Sequence, residues 1–281
     1  MPVIKPGDIV TRKSYGGDIY FRIIDVQKGV CTIKGLDVRL IADAPISDLE
    51  VKKPNEILQY KQRKIQINIA NIKKIKSKRN EEIPESRGEK LTGNFFDFPG
   101  KVLHIDGDND YLQKCMEYYR QLNIPAQGFY VAESEQPKVV QKLLRDYKPD
   151  ILILTGHDAL FKGAKDLSSL NSYRNSKYYV ASVKKAREIN NGLDDLVIFA
   201  GACQSNYEKL LQAGANFASS PQRVLINVLD PVFIAEKVAF TSIEKTIGVK
   251  EVVQQTITGE KGVGGVQTRG RYRLGYPRTV L

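Results

Sequence analysis

Cys203 and His157 occupy matching places in this sequence. LVIFAGA (196–202) runs into Cys203, and DILILTG (150–156) runs into His157, so each reactive side chain follows an apolar run and a small-residue step. A thiol and an imidazole are what nucleophilic acyl transfer needs: sulfur attacks a carbonyl, and the ring moves the protons. Gly156, Gly201 and Ala202 suit close backbone approach and a tight strand-to-helix turn. A cysteine that opens a helix also feels its positive end, which favours thiolate. Backbone N–H groups beside it can bind a developing oxyanion.

Competing candidates are few, because the chain has two histidines and three cysteines. Cys31 sits inside the alternating run VCTIKG, and Cys115 shares a helical face with Leu112, Met116 and Tyr119, so packing explains both. His104 lies within a strand run, two residues before Asp106. No CxxC or HxxH pair is present, which argues against a zinc site, and no cofactor is expected. KGVGGVQTRGRYRLG near the end lacks the GxxxxGK[ST] phosphate-loop spacing and reads as hairpin turns.

The elements that must position these groups follow from rhythm. Residues 1–51 hold short β-branched runs (GDIVTRK, IYFRIIDVQ, VCTIKG, DVRLIAD) split by glycine turns, which predicts a small SH3-like β-barrel. Residues 52–98 predict a basic amphipathic helix, with Ile57, Leu58, Ile65, Ile69 and Ile72 at helical spacing, then an exposed polar linker. From 99 to 281 apolar runs alternate with amphipathic segments, the sign of a parallel sheet covered on both faces. NFASSP and RVLINVLD are expected to add strands to it. The fold class is therefore α/β. In such a sheet chemistry collects at the carboxyl ends of the strands. Three ends carry it here: HIDGDND with Asp106, Asp108 and Asp110, TGHDA with His157, and GACQS with Cys203.

Composition bounds the partners. The net charge of +11 is concentrated in Lys52–Arg79, where ten basic residues meet the single acid Glu56, and in a basic C-terminal tail. No aromatic interleaving accompanies the charge, so a solvated face is favoured over nucleic-acid binding. No apolar run approaches a membrane span, and MPVIKPGDIVTRK lacks the apolar core of a signal peptide. With an odd cysteine count, a reducing, cytoplasmic compartment is the expectation.

His-before-Cys order departs from the class I glutaminase-like enzymes and resembles the caspase-like cysteine peptidases, the clan that includes clostripain and gingipain. A more specific likeness runs through GDIVTRKSYGGDIYFRII, DVRLIAD, PGKVLHIDGD, PDILILTGHDA, LVIFAGACQS, AGANFASSP and KGVGGVQTRG: together they resemble the YabG-type sporulation-specific peptidases. That resemblance implies a caspase-like peptidase domain. It also implies a cysteine endopeptidase with Cys203 as nucleophile and His157 as acid/base, cutting spore coat and other sporulation precursor proteins after arginine. In the clan a glycine usually follows the histidine and lends its N–H to the oxyanion hole. Here Asp158 stands there, so the hole would be built by the backbone of Asp158 and Cys203. Arginine preference asks for a recessed carboxylate. Asp106 and Asp108 are the candidates, because the clan builds its pocket at that strand end, with Asp158 in reserve; Asp110 reads as the helix cap. Such an enzyme has candidate self-cleavage sites at Arg79, at Arg87 and in the arginine-bearing tail. The alternative is a non-enzymatic receiver-like regulatory protein with a nucleic-acid-binding helix. It is disfavoured because a receiver needs an Asp where this chain has Gly156-His157.

Overall fold

The computed structural model describes the backbone of residues 4–86 and 95–277, and the side chains of 4–80 and 95–277. The chain divides into two compact units, Met1–Lys74 and Ile75–Leu281.

In the first unit, strands β1 (Ile9–Arg12), β2 (Phe21–Gln27), β3 (Val30–Gly35), β4 (Ile41–Pro45) and β5 (Leu49–Val51) form an antiparallel sheet of order β4-β3-β2-β1-β5. Alternation sends Val10, Phe21, Ile23, Cys31, Ile33, Ala44 and Leu49 to one buried cluster. Cys31 has no exposed surface, in keeping with a packing role.

Helix α1 (Pro54–Ser86) opens with proline at its first position, and the Glu56 carboxylate accepts from the Lys53 N–H at 2.9 Å. It runs well into the stretch expected to be linker. Strong helix formers fill that stretch, and contacts hold it: Ile75 is buried, and Arg79 donates to Glu236 and to the Leu122 carbonyl, each at 2.9 Å. The amphipathic expectation is only half met, since Leu58, Ile65 and Ile69 stay exposed. Arg79 is therefore bonded helix rather than an open cleavage site, while Arg87 lies outside the described residues.

The second unit continues with β6 (Phe96–Phe98), β7 (Val102–Asp106), α2 (Asn109–Gln121), β8 (Ala126–Tyr130), α3 (Gln136–Tyr147), β9 (Ile151–Thr155) and α4 (Ser176–Ile189). Then come β10 (Val197–Ala200), α5 (Tyr207–Gln212), β11 (Phe217–Ser219), α6 (Asp230–Phe240), β12 (Thr246–Ile247) and α7 (Val249–Val253). Three short strands follow, β13 (Val263–Gly265), β14 (Thr268–Arg269) and β15 (Arg273–Gly275). The central sheet has the order β13-β11-β10-β9-β7-β8, parallel throughout except for β13. Helices α3 and α4 cover one face, where Leu103, Ile105, Leu152, Leu154, Ile198 and Ala200 meet Val140, Leu144, Tyr179 and Val183. Helices α2 and α6 contact the sheet too, and each other.

Two segments depart from the expected pattern. RVLINVLD is not a strand: residues 221–229 form an irregular strap leading into α6, with Ile226, Val228 and Leu229 buried. Its amides turn to side chains instead of a ladder, Asn227 N–H to Thr258 Oγ1 at 2.9 Å and Leu229 N–H to Asn227 Oδ1 at 2.9 Å. The tail does not make local hairpins. β13 pairs with β11, β14 with β12, and β15 with the distant β6. Glycine permits the first of these, because a Cβ on Gly265 would come within 2.2 Å of the Asn216 carbonyl.

Candidate active site

Chain order and strand order reverse between β7 and β9: β8 lies outside β7, while β10 and β11 continue beyond β9. Ligand sites in open parallel sheets form at such a switch point, beyond the carboxyl ends of the strands. The register shows what collects there. Asp106 pairs with Thr155, and Leu154 with Ala200. Pairing continues past the strand ends, with Gly107 N–H to Thr155 O and Gly201 N–H to Leu154 O both at 2.9 Å. Counting on from these pairs, Asp108, His157 and Cys203 fall in one row, with His157 in the middle. Within β7, His104 and Asp106 lie on the face opposite to Leu103 and Ile105, and His104 meets Tyr119 of α2 there.

The imidazole of His157 lies between two carboxylates. Nε2 is 3.3 Å from Asp108 Oδ2 and Nδ1 is 3.5 Å from Glu133 Oε1, with the Tyr111 ring 5.4 Å away. Glu133 also accepts from the His157 backbone N–H at 2.7 Å, so one carboxylate fixes both the chain and the ring of this residue. Burial raises the Glu133 carboxyl, but hydrogen bonds from His157 outweigh it and hold the group below its ordinary value. Two glycines make the space: a Cβ on Gly107 or on Gly156 would come within 2.3 or 2.4 Å of Glu133 Oε1. Sequence reasoning missed Glu133. The available signal was an acid three residues past the edge strand β8, whose end was left unread.

Cys203 has no exposed surface. Its Sγ accepts from the Ile226 N–H at 3.2 Å and lies 3.9 Å from the Ile226 carbonyl, so the strap lies directly over the thiol. Next to it, Gln204 N–H donates to Val224 O and to Ser220 Oγ, each at 3.2 Å. Cys115 packs in the core with its Sγ 3.3 Å from Val228 O.

The remaining acids have separate duties. Asp106 is fully buried, 3.3 Å from His104 Nε2 and accepting from the Asp108 N–H at 2.9 Å, while His104 Nδ1 lies 3.1 Å from the Tyr119 hydroxyl. It is a poor base for an open pocket. Asp108, not Asp110, caps α2, accepting from Tyr111 N–H at 3.0 Å, because the helix begins at Asn109. Asp158 is buried and saturated. Its oxygens take the Asn175 N–H at 2.7 Å, the Ala159 and Ser205 groups at 2.9 Å, and the Ser176 hydroxyl. Burial pushes the Asp158 carboxyl up, and those hydrogen bonds offset part of the rise. Its side chain therefore points into the protein, tying the His157 loop to the Cys203 loop; its N–H remains beside His157. Among the described residues no group of three or more His, Cys, Asp or Glu is placed to hold a metal ion. No described helix is long and apolar enough to cross a membrane.

Comparison with known families decides the class. The model of the YabG peptidase U57 family matches residues 5–277. The chain belongs to this family. A curated relative, the sporulation-specific protease YabG of Bacillus subtilis (strain 168), is 43% identical over 281 residues, spanning 96% of this chain and 97% of that protein. The YabG match covers the antiparallel sheet and α1 as well as the α/β unit. Membership makes the chain a peptidase, in place of the receiver-like alternative.

Proposed function

We propose that this YabG-family peptidase is a cysteine endopeptidase acting through Cys203 and His157. The observation that carries the reading is the row itself: thiol and imidazole follow adjacent parallel strands at equivalent positions, beside the point where strand order reverses. Cys203 sulfur attacks the scissile carbonyl carbon, and the oxyanion is met by the N–H groups of Cys203 and Asp158. His157 delivers the proton to the departing amine, leaving a thioester that water, deprotonated by the same ring, hydrolyses. Glu133 is the positioning group, orienting the imidazole as the third member of such constellations does. Because Ile226 covers the thiol, the strap must lift before a polypeptide reaches it.

The fold reading that goes with this is a caspase-like peptidase domain over 99–281, after an SH3-like barrel over 1–51 and a basic segment over 52–98. Spore coat and other sporulation proteins are the proposed substrates, cut after arginine in the cytoplasm of the sporulating cell. Fluorogenic peptides varied at the cleaved position test it. Turnover confined to arginine peptides and cut at least about a thousandfold by Cys203→Ala is expected. Equal turnover by both proteins overturns the nucleophile.

A further inference from the structure

With Asp106 and Asp158 committed to internal partners and Asp108 capping α2 beside His157, the carboxylate that receives a substrate arginine must be sought elsewhere. The structure already holds one guanidinium at the site. Arg223, on the strap, donates through Nη1 to Glu208 Oε1 at 3.0 Å and through Nη2 to Glu208 Oε2, and its Nε lies 3.2 Å from the Tyr173 hydroxyl. Nη1 also meets the Pro221 carbonyl at 2.9 Å. A fork on both carboxylate oxygens is the geometry that selects guanidinium over ammonium.

This cradle is assembled from both catalytic loops. Glu208 stands in the first turn of α5, directly after the Cys203 loop. Tyr173 pairs with Leu160 in the loop after His157, and Leu160 N–H reaches Gln204 Oε1 at 3.4 Å. The Glu208 side chain keeps 53% of its surface exposed, so the cradle opens to solvent on that side, while Arg223 retains 17% and Tyr173 is buried. The same strap covers the thiol three residues further on, at Ile226, and three residues span no more than about 11 Å. Arg223 holds its place with a left-handed backbone (φ 53°), a conformation that a non-glycine residue adopts only when its surroundings hold it there.

We infer that Glu208 and Tyr173 form a guanidinium-binding subsite for the substrate, and that Arg223 is its resident occupant while the strap covers Cys203. The inference rests on the arginine-directed cysteine peptidase reading above. Displacing the strap empties the subsite and uncovers the sulfur in one movement, so a substrate arginine competes with Arg223 for Glu208.

Two measurements on the full chain test it. In peptide turnover, Glu208→Gln raises KM for arginine peptides about tenfold and erodes the arginine-over-lysine preference, while Arg223→Ala lowers that KM about fivefold. Arg223→Lys, which keeps the charge and loses the fork, falls between. In direct binding, agmatine is titrated calorimetrically against the Cys203→Ala protein. Affinity rises when Arg223→Ala is added and is lost when Glu208→Gln is added. Arginine peptides cut by Glu208→Gln with unchanged KM and preference overturn the subsite and leave the peptidase reading standing. No cleavage of arginine peptides by any variant sinks the arginine-directed reading, and the agmatine titration still decides the subsite: equal affinity in all three proteins refutes it.

Discussion

Removing the Asp158 side chain separates a structural role from a substrate-binding one. Asp158→Ala strands two backbone donors, Asn175 N–H and Ala159 N–H, and two hydroxyls. The hydroxyls keep other bonds, since Ser176 Oγ accepts from Asn206 N–H and Ser205 Oγ from Ala202 N–H. The amides of Ala159 and Asn175 are part-buried and lose the carboxylate that accepts from them. At about 1–3 kcal/mol for each unsatisfied group, the two cost about 2–6 kcal/mol. Relief of a carboxylate disfavoured by burial brings this down, and about 3 kcal/mol is expected, or about 6–12 °C in Tm for a unit of this size. Asp158→Asn keeps an acceptor and costs about 1 kcal/mol. The two also differ in pH dependence. A folded-state value above the unfolded one means the native protein holds the extra proton, so stability declines as pH rises from the ordinary aspartate range through the raised value. Asp158→Asn lacks that decline. Thermal melts by circular dichroism from pH 3.5 to 8, on wild type and both variants, give the numbers. An Asp158→Ala protein as stable as wild type but indifferent to arginine would show that this carboxylate faces substrate, and would refute the reasoning.

Three further outcomes follow from the same geometry. Glu133→Gln keeps an acceptor for the His157 N–H but removes the charge beside Nδ1, so kcat falls about 10–100-fold with KM little changed in peptide assays. The Glu133 carboxyl is held below its ordinary value, so its contribution is complete above the ordinary glutamate range and is lost as pH falls through the lowered value. Activity of wild type should show that acid limb, and Glu133→Gln should not. Gly107→Ala drives a Cβ toward Glu133 and should lower kcat while melting close to wild type. Arg79→Ala leaves Glu236 buried without its cation and should cost about 3–5 kcal/mol in denaturant titration.

How much was legible depends on where each signal lives. Cys203 and His157 could be read because continuous apolar runs mark buried parallel strands, and a reactive residue just beyond one stands out. Cys31 and Cys115 were readable as packing by period alone. Helix α6 was not, since DPVFIAEKVAF is apolar on nearly every side and shows no amphipathic period; a helix buried all round has none to show. RVLINVLD has the composition of a strand, yet its amides go to the Cys203 thiol and to Thr258, and its Asp230 carboxylate accepts from Ile257, contacts no local pattern encodes. The duties of the acids were hidden for a related reason. Asp106, Asp108 and Asp158 differ only in who donates to them, and those donors (His104, Tyr111, Ser176, Ser205) come from different elements.

The late strands change what a broken chain means. β15 returns to pair with β6, and β13 closes onto β11, so residues near 97 and 274 are neighbours across most of the unit's length, and those near 218 and 264 across its last part. A nick in an exposed loop between them would leave two fragments still sharing one sheet and one core. Such a molecule would run as pieces on a denaturing gel and as one particle through a sizing column. Integrity on a gel is thus a poor guide to integrity of the fold.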